Sequence, residues 1–158
     1  KKYLPFDYGD YVLSLSGKAG IITSIDDEKV TSSNRIYFNS KSIRGFDTNG
    51  VGPRDEGNSV GVGGNKFYTG SVELRSKKLV PEDLGIEWGL FTDFGSLWDT
   101  DYPTNVKGVD DSGPRITSGA SIYWNTVVGP LNFIWAWPIS DESYDKENNF
   151  KFSIGTSF

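Results

Sequence analysis

Any chemistry this chain performs must do without histidine and cysteine, for the sequence contains neither. That removes Ser-His-Asp and Cys-His nucleophilic mechanisms, disulfides, and metal sites built on imidazole or thiolate. Carboxylates and guanidinium groups remain. Glu73 and Asp93 lie in two successive segments of alternating polarity, 67–77 and 86–98, each on the more polar face of its segment. Two carboxylates projecting from one face of adjacent strands could form a glycosidase-type acid–base dyad. With an arginine at hand they more readily hold one cation between them, and no residue then has a catalytic role. The acidic run Asp141, Glu142, Asp145 and Glu147 lacks the ligand spacing of a calcium loop and reads as a solvated loop, as does Asp110-Asp111. Gly63-Gly64 stands outside any phosphate-loop context and reads as a flexible strand entrance. No metal or cofactor is expected.

The elements that must position these groups are strands. Period-2 alternation marks 11–24, 67–77, 86–98, 115–128, 131–139 and 148–158, with a short stub at 3–6. Short turns at 7–10, 78–85 and 129–130 alternate with long connections at 25–66, 99–114 and 140–149. The strands run about 10–14 residues, longer than the five or six usual in soluble sheets. One face of each carries large aromatic and aliphatic residues: Trp88, Leu90, Ile122, Phe133, Trp135, Phe152 and Ile154 are expected to face lipid. The mean hydropathy of −0.42 leaves no stretch resembling a membrane helix, whereas 15% aromatic residues and 19 glycines suit a transmembrane β-barrel. The fold class is therefore all-β, an antiparallel transmembrane barrel or part of one, with residues 1–158 as a single barrel region. A soluble β-sandwich is the competing architecture. The net charge of −5 argues against nucleic acid as a partner. The lack of methionine predicts a longer reading frame with a leader ahead of Lys1.

Within 25–66 the sequence reads Ser42-Ile43-Arg44-Gly45-Phe46-Asp47-Thr48-Asn49-Gly50-Val51-Gly52-Pro53. This resembles the [VI]-R-G-F motif, with its downstream Gly-Pro, of the BamA family of outer-membrane β-barrel insertases. Val62-Gly63-Gly64-Asn65, Ser71-Val72-Glu73-Leu74, Phe91 to Asp99, Gly129-Pro130-Leu131 and a terminal strand ending on Phe158 follow in the family's order, so the resemblance covers essentially the whole chain. It implies the C-terminal part of a barrel, without the periplasmic POTRA modules, in the outer membrane of a Gram-negative-type cell. It further implies a non-enzymatic role in inserting nascent outer-membrane proteins through a weak seam. Membrane lipid and, in the full-length protein, accessory lipoproteins would be its other partners. A two-partner-secretion barrel of the same superfamily and a small structural outer-membrane barrel are the alternatives.

An arginine carried into a barrel lumen must be paired, because burying a lone charge costs several kcal/mol. The planar fork of Arg44 can bridge Glu73 and Asp93, the contact the family resemblance also implies. Gly45 would give the loop backbone freedom, and Phe46 beside Ile43 an apolar anchor. The terminal strand, with Phe150, Phe152, Ile154 and Phe158 on one face and Gly155 where pairing can loosen, would form one side of the seam. Six long strands and a stub are too few to close a usual barrel. The wall is therefore expected to recruit strands from the long loop or to associate with another copy.

Overall fold

The computed structural model describes every residue except 7–9, 26–27, 128 and 156–158. Eleven strands form among the described residues: β1 (Lys2–Phe6), β2 (Tyr11–Ile21), β3 (Gly45–Phe46), β4 (Arg54–Asp55), β5 (Lys66–Ser76), β6 (Ile86–Trp98), β7 (Val106–Lys107), β8 (Arg115–Thr126), β9 (Gly129–Ser140), β10 (Glu147–Asn148) and β11 (Phe150–Ile154). Seven of them make one antiparallel sheet in the order β1-β2-β5-β6-β8-β9-β11. Neighbours in the sheet are neighbours in sequence once the loops are skipped, the simplest meander a barrel wall can adopt. The described part of the terminal segment ends its ladder at Ile154. Gly155 bends away at φ +111°, although its N–H still reaches the Pro130 carbonyl at 3.0 Å.

The sheet is open. Its edges, β1 and β11, have no partner strand among the described residues, and an exposed edge cannot persist in hydrocarbon. Recruitment of the long loop to the wall, one of the two expected remedies, does not occur. Its short strands pair with other loops instead, β3 with β10 and β4 with β7. The reason lies in the side chains, because Phe38, Ile43, Phe46 and Val51 from the loop pack with Leu97 of β6 in one buried cluster, with Ile36 and Phe67 against it. This apolar set is satisfied by lying flat on the inner face of the sheet and would be exposed in an added wall strand. The apolar core therefore sits between loop and wall.

Register fixes the two faces. Ser71 pairs with Asp93 and Glu73 with Phe91, so these four side chains form one patch on the face covered by the loop. The opposite parity places Trp88 against Ile122 and Ala120 against Trp135. Leu90 and Ile154, 54% and 64% exposed, are typical of that outer face. On β9 and β11 its aromatics interlock, Phe133 on Phe152 at 5.0 Å and Trp135 on Phe150 at 5.3 Å between ring centroids. All five tryptophans, at 88, 98, 124, 135 and 137, fall on this face. In bilayers containing brominated lipid, tryptophan emission should therefore be quenched strongly, and acrylamide in the aqueous phase should quench it weakly. The reverse pattern would mean that this face is not lipid-covered.

Candidate functional site

The site is built where the loop crosses β5 and β6. Arg44 enters with its guanidinium flat against the Phe91 ring, 3.5 Å from the centroid. From there Nε donates to Asp93 Oδ2 and Nη2 to Asp93 Oδ1, both at 2.7 Å, a bidentate fork. The backbone N–H of Arg44 donates to the same carboxylate at 3.1 Å. Nη1 reaches Glu73 Oε1 at 3.0 Å, and Nη2 also donates to Ser71 Oγ at 3.1 Å. The Arg44 and Asp93 side chains are 12% and 4% exposed, so the pair is largely withdrawn from water.

Its two carboxylates are not equivalent. Asp93 takes three hydrogen bonds from Arg44 alone. Glu73 is also held by Arg75 Nη2 at 3.0 Å and by the Tyr123 hydroxyl, which donates to Oε1 at 2.9 Å. Arg75 lies over the Tyr123 ring at 4.1 Å and faces Glu87 on its other side at 3.7 Å. The two carboxylates therefore depend on Arg44 unequally: without it Glu73 keeps a cation, and Asp93 is the group left alone. The same surroundings disfavour an acid–base dyad, since both carboxylates are engaged by cations and the Phe91 ring fills the space beside them.

Ile43 and Phe46, on either side of the Arg44-Gly45 step, are 1% and 2% exposed in the apolar cluster. Between them Gly45 adopts φ +95° and lies so close to β8 and β9 that a Cβ would stand 3.0 Å from Thr117 Cγ2 and 3.2 Å from the Ala136 methyl. Gly63-Gly64, expected as a flexible entrance, is packed. Gly64 exchanges two backbone hydrogen bonds with Ile36, and a Cβ there would meet the Trp98 carbonyl at 2.6 Å. Phe150, Phe152 and Ile154 stand on the outer face of β11, remote from the Arg44 patch, and Phe158 lies outside the described residues. The inward Lys151 of the same strand contacts Ser40 of the loop.

A second polar cluster overturns the solvated-loop reading of Asp145 and Asp111. Arg115, the first residue of β8, is 2% exposed in its side chain. It donates through Nε to Asp145 Oδ2 at 2.8 Å, and Asp145 has no exposed side-chain surface. Its Nη2 reaches Asp111 Oδ2 at 3.0 Å and the Tyr144 hydroxyl at 2.7 Å, and Nη1 donates to the Gly113 carbonyl at 3.0 Å. Tyr144 in turn donates to Asp111. Burial raises the Asp145 carboxyl above the usual range despite Arg115. Burial also works to raise Asp111, but the Tyr144 hydroxyl, the Gly113 N–H and Arg115 together hold it below that range. One signal for this cluster was present in the sequence. Arg115 shares the parity of Thr117, Gly119 and Ser121, the inward row of its strand, and an inward arginine demands an anion.

A profile of the Omp85 superfamily domain matches residues 1–158. Among curated proteins, the chain is 33% identical to the outer membrane protein assembly factor BamA of Neorickettsia risticii, over 93% of this chain and 20% of that protein. It is 27% identical to BamA of Neisseria meningitidis serogroup B, over 94% of this chain and 22% of that protein. The chain thus spans about a fifth of the length of these relatives. Among solved structures, BamA from Haemophilus ducreyi lacking POTRA domains 1–3 superposes with a TM-score of 0.82. That match covers 95% of this chain and 32% of that one at 23% identity, a likeness of fold. The strands are wall strands of an outer-membrane barrel, the loop motif lies against their inner face, and the chain belongs to the Omp85 superfamily.

Proposed function

We propose that this chain is barrel wall of an outer-membrane protein assembly factor, with the loop around Ile43–Phe46 as an internal brace. The observation that carries the proposal is the Arg44 fork: this arginine of the loop ties β5 and β6 together from inside. A brace of this kind keeps the wall in register while the ends of the sheet open and close to admit a client strand. Clients of the whole protein are then nascent outer-membrane β-barrels, and the work is non-enzymatic, because it lowers a folding barrier through local disorder of lipid and strand exchange. The seam is formed on one side by β11, whose inner face reaches the loop through Lys151 and Ser40.

The test uses the full-length protein in lipid vesicles, supplied with an unfolded β-barrel client. Folded protein should raise the client's folding rate well above that of empty vesicles. A folded protein that gives no acceleration would overturn the assembly reading. Delivery of a soluble partner into the vesicle interior without client insertion would favour the secretion barrel instead.

A further inference from the structure

We propose that Arg115 is a positioning residue that wires the terminal strand to the Arg44 loop through Asp145. The covalent path is short. Asp145 is followed by Lys146, whose carbonyl accepts from the Asp47 N–H at 2.9 Å and whose N–H donates to the Gly50 carbonyl at 2.8 Å. Glu147 and Asn148 then pair with Phe46 and Gly45 as the β10–β3 ladder. Asn149 accepts from the Ala136 N–H at 3.0 Å, and β11 begins at the next residue. The linker into the terminal strand is therefore tied to the loop motif over 146–148 and to β9 at Asn149.

Such a short ladder, only two residues long on each side, does not hold on its own. What orients it is the buried carboxylate at its head. Asp145 Oδ2 accepts from Arg115 Nε and also from the Glu142 N–H at 3.0 Å, which closes a turn over 142–145 and aims the chain at the loop. Arg115 is fixed on a long wall strand and held by four groups, so it is the rigid partner. The loop brings a second cation close by. Arg54, itself 4% exposed, is anchored to the Ser59 and Asn49 carbonyls at 2.6 Å each, and its Nε and the Asp145 Oδ1 are both buried without a hydrogen-bond partner among the described residues. Asp145 thus stands where wall, linker and loop meet, and its loss should free the linker from the loop while leaving the Arg44–Asp93 fork in place. The proposal builds on the brace reading above, but its test reads docking and not assembly activity.

In the register of the β10–β3 ladder, Asp47 faces Lys146, and both are exposed in this chain, which has no native cysteine. The full-length protein, with cysteines outside these residues replaced, would carry Asp47→Cys with Lys146→Cys as a disulfide reporter of docking. Antiparallel partners stand at the separation a disulfide spans. In otherwise unaltered protein the disulfide should form nearly to completion. Adding Arg115→Ala should lower the yield several-fold. The milder Asp145→Asn should also lower it, and it serves as the test if Arg115→Ala fails to fold by heat-modifiable mobility. Asp99→Asn, which removes the partner of Lys66 on another loop, should leave the yield unchanged. Unchanged yield in folded Arg115→Ala or Asp145→Asn protein would overturn the proposal. So would an equal loss in Asp99→Asn, because the effect would then be general loosening.

Discussion

Replacing Arg44 by alanine should undock the loop from β5 and β6 and cost on the order of 3–5 kcal/mol of local stability, the range for removing one partner of a buried, hydrogen-bonded ion pair. The size follows from what is left behind. Asp93, 4% exposed in its side chain, would lose the fork and keep only whatever the loop backbone still offers. The buried ring of Phe91 would lose its cation as well. Asp93→Asn should come close to the same loss, since the amide can accept from one guanidinium nitrogen but brings no charge. The double variant should be far less destabilised than the sum of the singles, a coupling of roughly 1–3 kcal/mol in a double-mutant cycle. Glu73→Gln should cost clearly less, because Arg44 retains its main partner, and Arg75 and Tyr123 still bracket the position. Hydrogen exchange of amides 36–64 in the full-length protein reads the docking directly, with client folding as the functional measure. Additive Arg44 and Asp93 singles, or Glu73→Gln matching Arg44→Ala, would contradict this hierarchy.

This hierarchy marks the limit of what residue types and spacing can tell. Alternation is a local property, so the long strands and their two faces were legible: Trp88, Leu90 and Phe133 stand where their parity puts them. The same parity set Glu73 and Asp93 on one face. It could not say that Arg75, two residues along the same row, turns back to share Glu73, because that depends on the Tyr123 ring two strands away. Loops carry no such periodicity. In 25–66 the apolar residues Val30, Phe38, Ile43, Phe46 and Val51 are scattered among Gly, Asn and Ser, and nothing in their spacing announces a packed inner layer. Asp145 is not legible as a buried partner for a related reason. A cluster of acids in a loop is usually solvated, and only the meeting of 140–149 with the start of β8 in space makes one of the four a buried partner. Gly64 looks loose in the sequence because its tight contacts, with Trp98 and Leu97, come from a strand more than thirty residues on.

Gly45 is a position where conformation and packing both oppose a side chain, and its substitution should unseat the Arg44 motif. A residue other than glycine at φ +95° lies outside the usual left-handed well and costs on the order of 1–3 kcal/mol in backbone strain. The added Cβ would also press on Thr117 and Ala136, at 3.0 and 3.2 Å, in the inner face of β8 and β9. The two strands are long and fully paired, so the loop has to move. Moving it drags the Arg44 backbone N–H away from Asp93 on one side and breaks the pairing of Gly45 with Asn148 on the other. Gly45→Ala should therefore raise exchange at amides 44–50 and 146–148 together, and Gly45→Val should do so more strongly. Pairing Gly45→Ala with Ala136→Gly removes one of the two contacts and leaves the strain, so it should recover part of the loss and no more. Gly155 supplies the control. It has a comparable φ of +111° but no atom of the described residues within 4 Å of where a Cβ would lie, so Gly155→Ala carries strain without collision with them and should leave the loop docked. A Gly45→Val protein whose loop exchanges as slowly as the parent would show that the close approach to β8 and β9 is not what seats the motif.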